Sequence, residues 1–183
     1  MTAAATSHDR DQDVAVRFEA IFEAQLPYVW TSLKRLGVAP RDLEDVAHEL
    51  FLQVLKRLSE CDTSQPIRPW LFAFAVRFAA DYRRLARHKT DLLGDDEPVA
   101  TTSSPEGALA AVERERLVLH ALEGIEVDRR AVFVLHELDE VPMSEITAAL
   151  GIPLHTGYSR LRVAREEFVA AVRRLTRQGR EMP

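Results

Sequence analysis

Apolar residues recur at helical spacing along most of the chain. The clearest run is Leu43, Val46, Ala47, Leu50, Phe51, Val54, Leu55 and Leu58. It forms one continuous stripe at the 3.6-residue period of an amphipathic helix. The opposite positions carry Glu44, Asp45, His48, Glu49, Gln53, Lys56 and Arg57. Asp42 stands just ahead of the stripe, where a short acceptor side chain caps a helix start. Upstream, Val14, Phe18, Ile21, Phe22, Val29, Trp30, Leu33 and Leu36 repeat the period. Pro27 interrupts it, which predicts a kink or two abutting helices. Gly37 supplies a C-terminal stop. Downstream, Pro66 and Pro69 bracket a turn, and Trp70, Leu71, Phe74, Ala75, Phe78, Tyr82 and Leu85 mark a further amphipathic helix. A helical bundle is expected over residues 14–89, behind a disordered N-terminal tail, residues 1–13.

Residues 90–107, TDLLGDDEPVATTSSPEG, lose the periodicity. The run is acidic, then rich in Ser, Thr and Pro, and reads as a flexible linker spanning roughly 20–25 Å on average and about 60 Å when stretched. Beyond it Ala108 to Leu122 and Arg129 to Leu138 read as helices. Pro142 opens a short helix with Ile146, Ala149 and Leu150 on its buried side. Gly151 ends that helix, Ile152 fills the turn, and Thr156 is placed to cap a longer helix. The longer helix turns Leu161, Ala164, Phe168 and Val169 inward and Arg160, Arg162 and Arg165 outward. A second domain is expected over residues 108–175, followed by a tail, 176–183. The fold class is all-α: two small helical domains joined by a flexible linker, the C-terminal one containing a helix-turn-helix.

That pair of helices suits DNA. A helix fits the major groove with its leading side chains on base edges and flanking arginines on phosphates. His155, Thr156, Tyr158 and Ser159 are the candidates for base edges or sugar-phosphate. Arg160, Arg162 and Arg165 are the phosphate candidates. Residues 66–89, PIRPWLFAFAVRFAADYRRLARHK, form a second constellation. Trp70, Phe72, Phe74, Phe78 and Tyr82 interleave there with Arg68, Arg77, Arg83, Arg84, Arg87 and Lys89, and Asp81 is the one acid. Aromatic and cationic groups together suit unstacked bases and single-stranded backbone. Leu71, Phe74, Ala75 and Phe78 are assigned instead to the core, because aromatics at helical spacing usually pack.

Composition narrows the classes. The net charge of the 183 residues is −5, so the arginine clusters are local patches on an acidic chain and not a polycationic coat. The single cysteine, Cys61, cannot form an internal disulfide and fits a reducing cytoplasm. No apolar leader and no apolar run of about 18 residues is present, so neither a signal peptide nor a membrane span is expected. His48-Glu49 and His136-Glu137 begin like a zinc-protease motif, but Leu52 and Glu140 stand where its second histidine belongs. No phosphate-cradling glycine loop or serine elbow occurs. A catalytic role, a cofactor, a metal and a small-molecule substrate are therefore not expected.

The two constellations, in this order and around this linker, resemble the extracytoplasmic-function (ECF) sigma factors of bacterial RNA polymerase. Asp42 to Leu55, DLEDVAHELFLQVL, is similar to the family's helix for the polymerase clamp. Arg68 to Arg84 is similar to its promoter-melting helix, and Met143 to Arg165 to its helix-turn-helix for the distal promoter element. The resemblance implies core RNA polymerase and promoter DNA as partners, with an anti-sigma protein as a further one. It implies Asp42, Glu44, Asp45, Glu49, Phe51 and Gln53 as the clamp-facing set, whose carboxylates suit a basic partner. It implies Arg68, Trp70, Arg77, Asp81, Tyr82, Arg83, Arg84 and Arg87 for the melting element. The acidic linker, with Asp91, Asp95, Asp96 and Glu97, is expected to thread through polymerase.

The chain also departs from the family. Val76-Arg77 stands where relatives often carry Arg-Asn. His155-Thr156-Gly157-Tyr158-Ser159-Arg160 replaces the usual Gly-Thr-Val-Lys-Ser-Arg. Gly157 lowers helix propensity by about 1 kcal/mol relative to alanine. The promoter sequence of relatives therefore does not carry over. The alternative function is a stand-alone helix-turn-helix regulator or a sigma-like interaction module. It needs the C-terminal domain but not the acidic helix. A purely structural helical protein is disfavoured by the arginines clustered on both candidate DNA helices.

Overall fold

Seven α-helices order the described residues: α1 (Ala3–Leu36), α2 (Leu43–Lys56), α3 (Ile67–Leu93), α4 (Glu106–Glu123), α5 (Val127–Phe133), α6 (Met143–Leu150) and α7 (Leu154–Glu181). The computed structural model describes the backbone of residues 3–62, 64, 66–93 and 106–181, with side chains within 12–86 and 112–178. No strand occurs among the described residues.

The apolar periodicity places these helices. Leu43, Ala47, Leu50, Phe51 and Val54 bury one face of α2, while Leu55 at its end is exposed. Pro27 lies within α1 and neither ends it nor divides it into two helices. Burial of Val29, Leu33 and Leu36 holds the helix beyond the proline, where tertiary packing outweighs the lost amide hydrogen bond. Residues 3–13, expected as a tail, continue α1, and residues 176–181 likewise continue α7. Of the expected linker, residues 90–93 close α3 and 106–107 open α4; residues 94–105 lie outside the described residues.

Gly37 ends α1 as expected, at φ +96°, with Val38 N–H donating to Leu33 O at 3.0 Å. Gly151 ends α6 at φ +64°, and Ile152 N–H donates to Thr147 O at 3.0 Å. Both are left-handed helix stops that satisfy carbonyls of the last turn. The single helix expected over 129–138 differs. α5 stops at Phe133, and Val134–Leu138 form a π-helical segment, with Asp139 N–H donating to Val134 O at 3.0 Å. This extra residue turns Asp139 toward α1. At the start of α5, Glu126 accepts from Asp128 N–H at 2.9 Å.

The buried residues of the two halves meet in one continuous apolar cluster. α1 packs on α4 and α5, and α3 packs on α5 and α6. Arg130 is enclosed at this seam, 1% exposed. Its Nη2 donates to Glu123 O at 2.7 Å and Ile125 O at 2.9 Å, satisfying carbonyls at and just past the end of α4. Burial, followed by the neighbouring charge of Arg83, pushes the Arg130 guanidinium down to about 9. Polar ties reinforce the seam: Arg35 Nη1 to Asp139 Oδ1 at 2.7 Å, Tyr28 Oη to Asp139 Oδ2 at 3.2 Å, and Lys34 Nζ to Glu115 Oε1 at 2.7 Å.

Candidate nucleic-acid interface

α6, a short turn through Gly151, Ile152 and Pro153, and α7 stand in helix-turn-helix order and pack on one another. α7 begins at Leu154, three residues earlier than a cap at Thr156 implies. Thr156 is therefore inside the first turn, its N–H donating to Pro153 O at 3.0 Å, and is not the cap. Leu161 and Ala164 turn inward, and Phe168 stacks on Phe133 with centroids 4.7 Å apart. Val169, expected inward, is exposed, and Ala171 is buried in its stead.

Gly157 is buried because α7 passes close to α6 there. A Cβ on it would lie 2.6 Å from Thr147 Cγ2 and 2.8 Å from Met143 Sδ. The glycine that weakens helix propensity is the residue that admits this approach. With α7 so placed, Leu154, His155, Tyr158, Ser159, Arg162 and Arg165 are exposed and Thr156 is half-buried. The three arginines are each tied to a carboxylate. Arg160 Nη2 donates to Asp128 Oδ2 at 2.7 Å, and Arg162 Nη1 to Glu166 Oε1 at 2.8 Å. Arg165 Nε and Nη2 donate to Glu137 Oε1 at 3.1 and 2.6 Å. Glu137 also meets His136 Nδ1 at 2.9 Å. Burial works to raise the Glu137 carboxyl, but the hydrogen bonds from Arg165 and His136 outweigh it and hold the group below its usual range. Among the described residues no cluster of His, Cys, Asp and Glu could hold a metal ion.

The candidates on α3 divide. Arg77, Asp81 and Arg84 are exposed, with Arg84 bridging Asp81 at 3.0 Å. Arg68 lies over the Tyr28 ring, its guanidinium carbon 5.0 Å from the centroid. Trp70 is half-buried edge-on to Phe74 at 4.9 Å. Arg83 sits at the seam between the halves, beside Gly37 and Arg130. Phe72 is fully buried and belongs to the core with Leu71, Phe74 and Ala75. The side chains of Arg87 and Lys89 lie outside the described residues.

On α2, Glu44, Asp45, Glu49 and Gln53 are exposed together. Phe51 is not part of that face. It is 2% exposed and edge-on to Phe22 at 4.8 Å, because residue 51 lies on the apolar stripe. Leu52 occupies the outward position instead. The i, i+3 and i+4 spacing from Asp45, His48 and Glu49 would have found it. Asp42 does not cap α2; its Oδ2 accepts from Tyr82 Oη at 2.6 Å. Burial first, then this hydrogen bond, pushes the Tyr82 phenol up.

The described residues thus combine an acidic face on α2, an aromatic and basic α3, and a C-terminal pair, α6 and α7, in helix-turn-helix order. Residues 21–89 match the Sigma-70 region 2 family. The ECF RNA polymerase sigma-E factor of Escherichia coli (strain K12) is 27% identical over 157 residues, covering 80% of this chain and 82% of that protein. The ECF RNA polymerase sigma factor SigL of Mycobacterium tuberculosis is 29% identical over 153 residues, covering 82% and 85%. The fold is similar to that of the sigma factor RpoE of Bartonella quintana, solved with the anti-sigma factor NepR. The TM-score is 0.66 at 19% identity, covering 86% of this chain and 97% of that one. It is also similar to CnrH, solved with the cytosolic domain of CnrY, with a TM-score of 0.59 at 21% identity, covering 84% and 85%. Residues 21–89 thus carry a Sigma-70 region 2 match, and the chain is similar to ECF sigma factors over about four-fifths of its length.

Proposed function

We propose that this chain binds core RNA polymerase, directs it to a subset of promoters and helps open the duplex. The observation that carries this reading is the chain order itself. A Sigma-70 region 2 match over 21–89 is followed by the α6–α7 pair, within relatives matched over four-fifths of their length. Such a factor positions and melts DNA and has no chemical step of its own. It works in the cytoplasm, where its polymerase is; no described helix is long and apolar enough to cross a membrane.

The roles follow from exposure and charge. Glu44, Asp45, Glu49 and Gln53, joined by Leu52, offer a polymerase clamp an acidic face around an apolar centre. Asp42 supports that face through Tyr82. Arg77, Arg84 and Arg68 with Trp70 are assigned to the melted promoter element. His155, Tyr158, Ser159 and Arg162 are assigned to the distal element, with Arg160 and Arg165 on phosphates once their carboxylates are displaced. An anti-sigma protein is a further partner, as for RpoE of Bartonella quintana, solved with the anti-sigma factor NepR. The domain bounds 14–89 and 108–175 are proposed as the two functional units.

The test is binding of the purified chain to bacterial core RNA polymerase, followed by transcription from selected promoters. Tight saturable binding that is lost on charge reversal of Asp45 and Glu49 supports the reading. Duplex binding that needs no polymerase, with no affinity for polymerase, would favour a stand-alone regulator.

A further inference from the structure

The leading turns of α7 carry unusual chemistry for a helix that reads bases. Residues 154–159 are Leu-His-Thr-Gly-Tyr-Ser. None is Arg, Lys, Asn or Gln, the side chains whose forked hydrogen bonds identify guanine and adenine in the major groove. Large apolar surface is presented there instead: Leu154 is 51% exposed and Tyr158 55%. They stand four apart, so their side chains are neighbours on one helix face. Among the described residues neither forms a side-chain hydrogen bond, ion pair or ring contact.

Their outward aim is fixed from three sides. Gly157 lets the intervening turn press on Met143 and Thr147, which sets the rotation of α7 about its axis. Arg160 anchors one flank of the helix to Asp128 on α5, and Arg165 anchors it further along to Glu137. In the free chain Arg160 and Arg165 are engaged by carboxylates of their own domain, available to phosphates only when those are displaced, and Arg162, exposed and paired with Glu166 one turn on, lies a full turn beyond Tyr158. Leu154 and Tyr158 therefore offer apolar surface at the leading end of α7, beside the exposed polar His155 and Ser159.

The one apolar mark on a base edge in the major groove is the 5-methyl group of thymine. We infer that Leu154 and Tyr158 are specificity-determining residues that pack on a thymine 5-methyl group, so that the distal element read by this chain contains a thymine in contact with them. The inference rests on the assignment of α7 to promoter DNA.

The experiment uses the full chain bound to core polymerase and a duplex library randomised across the distal element. Bound duplexes are selected and sequenced, and each selected thymine is replaced singly by deoxyuridine, which removes only the methyl group. One replacement is expected to weaken wild-type binding about fourfold, the factor for one buried methyl-sized group. The L154A/Y158A double variant is expected to show no such loss and to select without the thymine preference. Both positions are exposed, so the variant keeps its helical circular dichroism and its polymerase affinity. Selection of distal sequences in which no thymine is sensitive to deoxyuridine overturns this inference alone, as does an equal loss in the double variant. No distal enrichment at all overturns the DNA assignment of α7, and this inference with it.

Discussion

The phenol of Tyr28 donates to Asp139 Oδ2 at 3.2 Å, across 111 positions of sequence. Arg35, two turns further along α1, donates to the other oxygen of the same carboxylate at 2.7 Å. Burial and then the Asp139 charge push the Tyr28 phenol well up, so it is a neutral hydroxyl donor at physiological pH. One carboxylate, 12% exposed, thus clasps the C-terminal half to α1. Asp139→Ala leaves Arg35 and Tyr28 without their partner and is expected to cost about 1–3 kcal/mol. Hydrogen exchange should quicken at residues 28–36 and 134–141. Tyr28→Phe should cost about 1 kcal/mol, one hydrogen bond. Unchanged exchange in the Asp139 variant would show that the apolar seam alone holds the halves together.

Gly157→Ala tests the close approach of α7 to α6. Thr147 Cγ2 cannot swing clear of the new methyl, because Thr147 Oγ1 donates to Met143 O at 3.0 Å and Ser144 O at 3.2 Å. Overpacking of this kind costs about 1–3 kcal/mol. Thr147→Ser keeps the hydroxyl and removes Cγ2, so adding it should restore much of the loss in a urea titration. If Gly157→Ala raises stability, helix propensity outweighs the contact.

Much of this was legible in the sequence, and the parts that were not have physical reasons. Helical periodicity located the buried face of α2 and both glycine stops, since each follows from neighbours within a turn or two. The π-helical segment after Phe133 was not legible, because one extra residue leaves the local apolar pattern unchanged. The Tyr28–Asp139 clasp and the burial of Arg130 join distant positions and leave no local mark. Family likeness implies an outward Phe51, whereas its own helical phase places it inward, where it is buried. Gly157 read as a weakness when judged by propensity; only its neighbours Met143 and Thr147 explain it.

Glu137 links acid stability to the helix-turn-helix. Its carboxyl is held below the usual range in the folded chain, burial notwithstanding, by Arg165 and His136. A group depressed on folding contributes stability that is complete above its unfolded value, about 4.3, and lost as pH falls toward its folded one. Thermal unfolding at pH 7 and pH 4 should therefore show a larger drop for wild type than for Glu137→Gln. An equal drop in both would assign the acid sensitivity to other carboxylates.

Arg162 and Arg160 should separate in solution. Arg162 is 68% exposed and tied only to Glu166 one turn away, an ion pair of small net worth. Arg162→Ala should leave stability unchanged and reduce the salt dependence of promoter binding by about one counterion. Arg160 holds Asp128 on α5, so Arg160→Ala should lower stability as well as DNA affinity. A salt slope unaltered by loss of Arg162 would place its guanidinium away from the phosphates.

Adjacent residues on α2 give the sharpest separation of fold from function. Phe51 sits in the core against Phe18 and Phe22, whereas Leu52 is exposed beside Asp45 and Glu49. Phe51→Ala removes a buried ring and should cost about 3–5 kcal/mol of stability. Leu52→Ala should leave the thermal midpoint within error and weaken core polymerase binding, because an exposed leucine ringed by charges has the make-up of an interface centre. Fluorescence titration of both variants against core polymerase, beside their unfolding curves, reads the two effects separately. Full polymerase affinity in Leu52→Ala would move the clamp contact off this face of α2. Weakened affinity at unchanged stability would place it there, one position along from where family likeness put it.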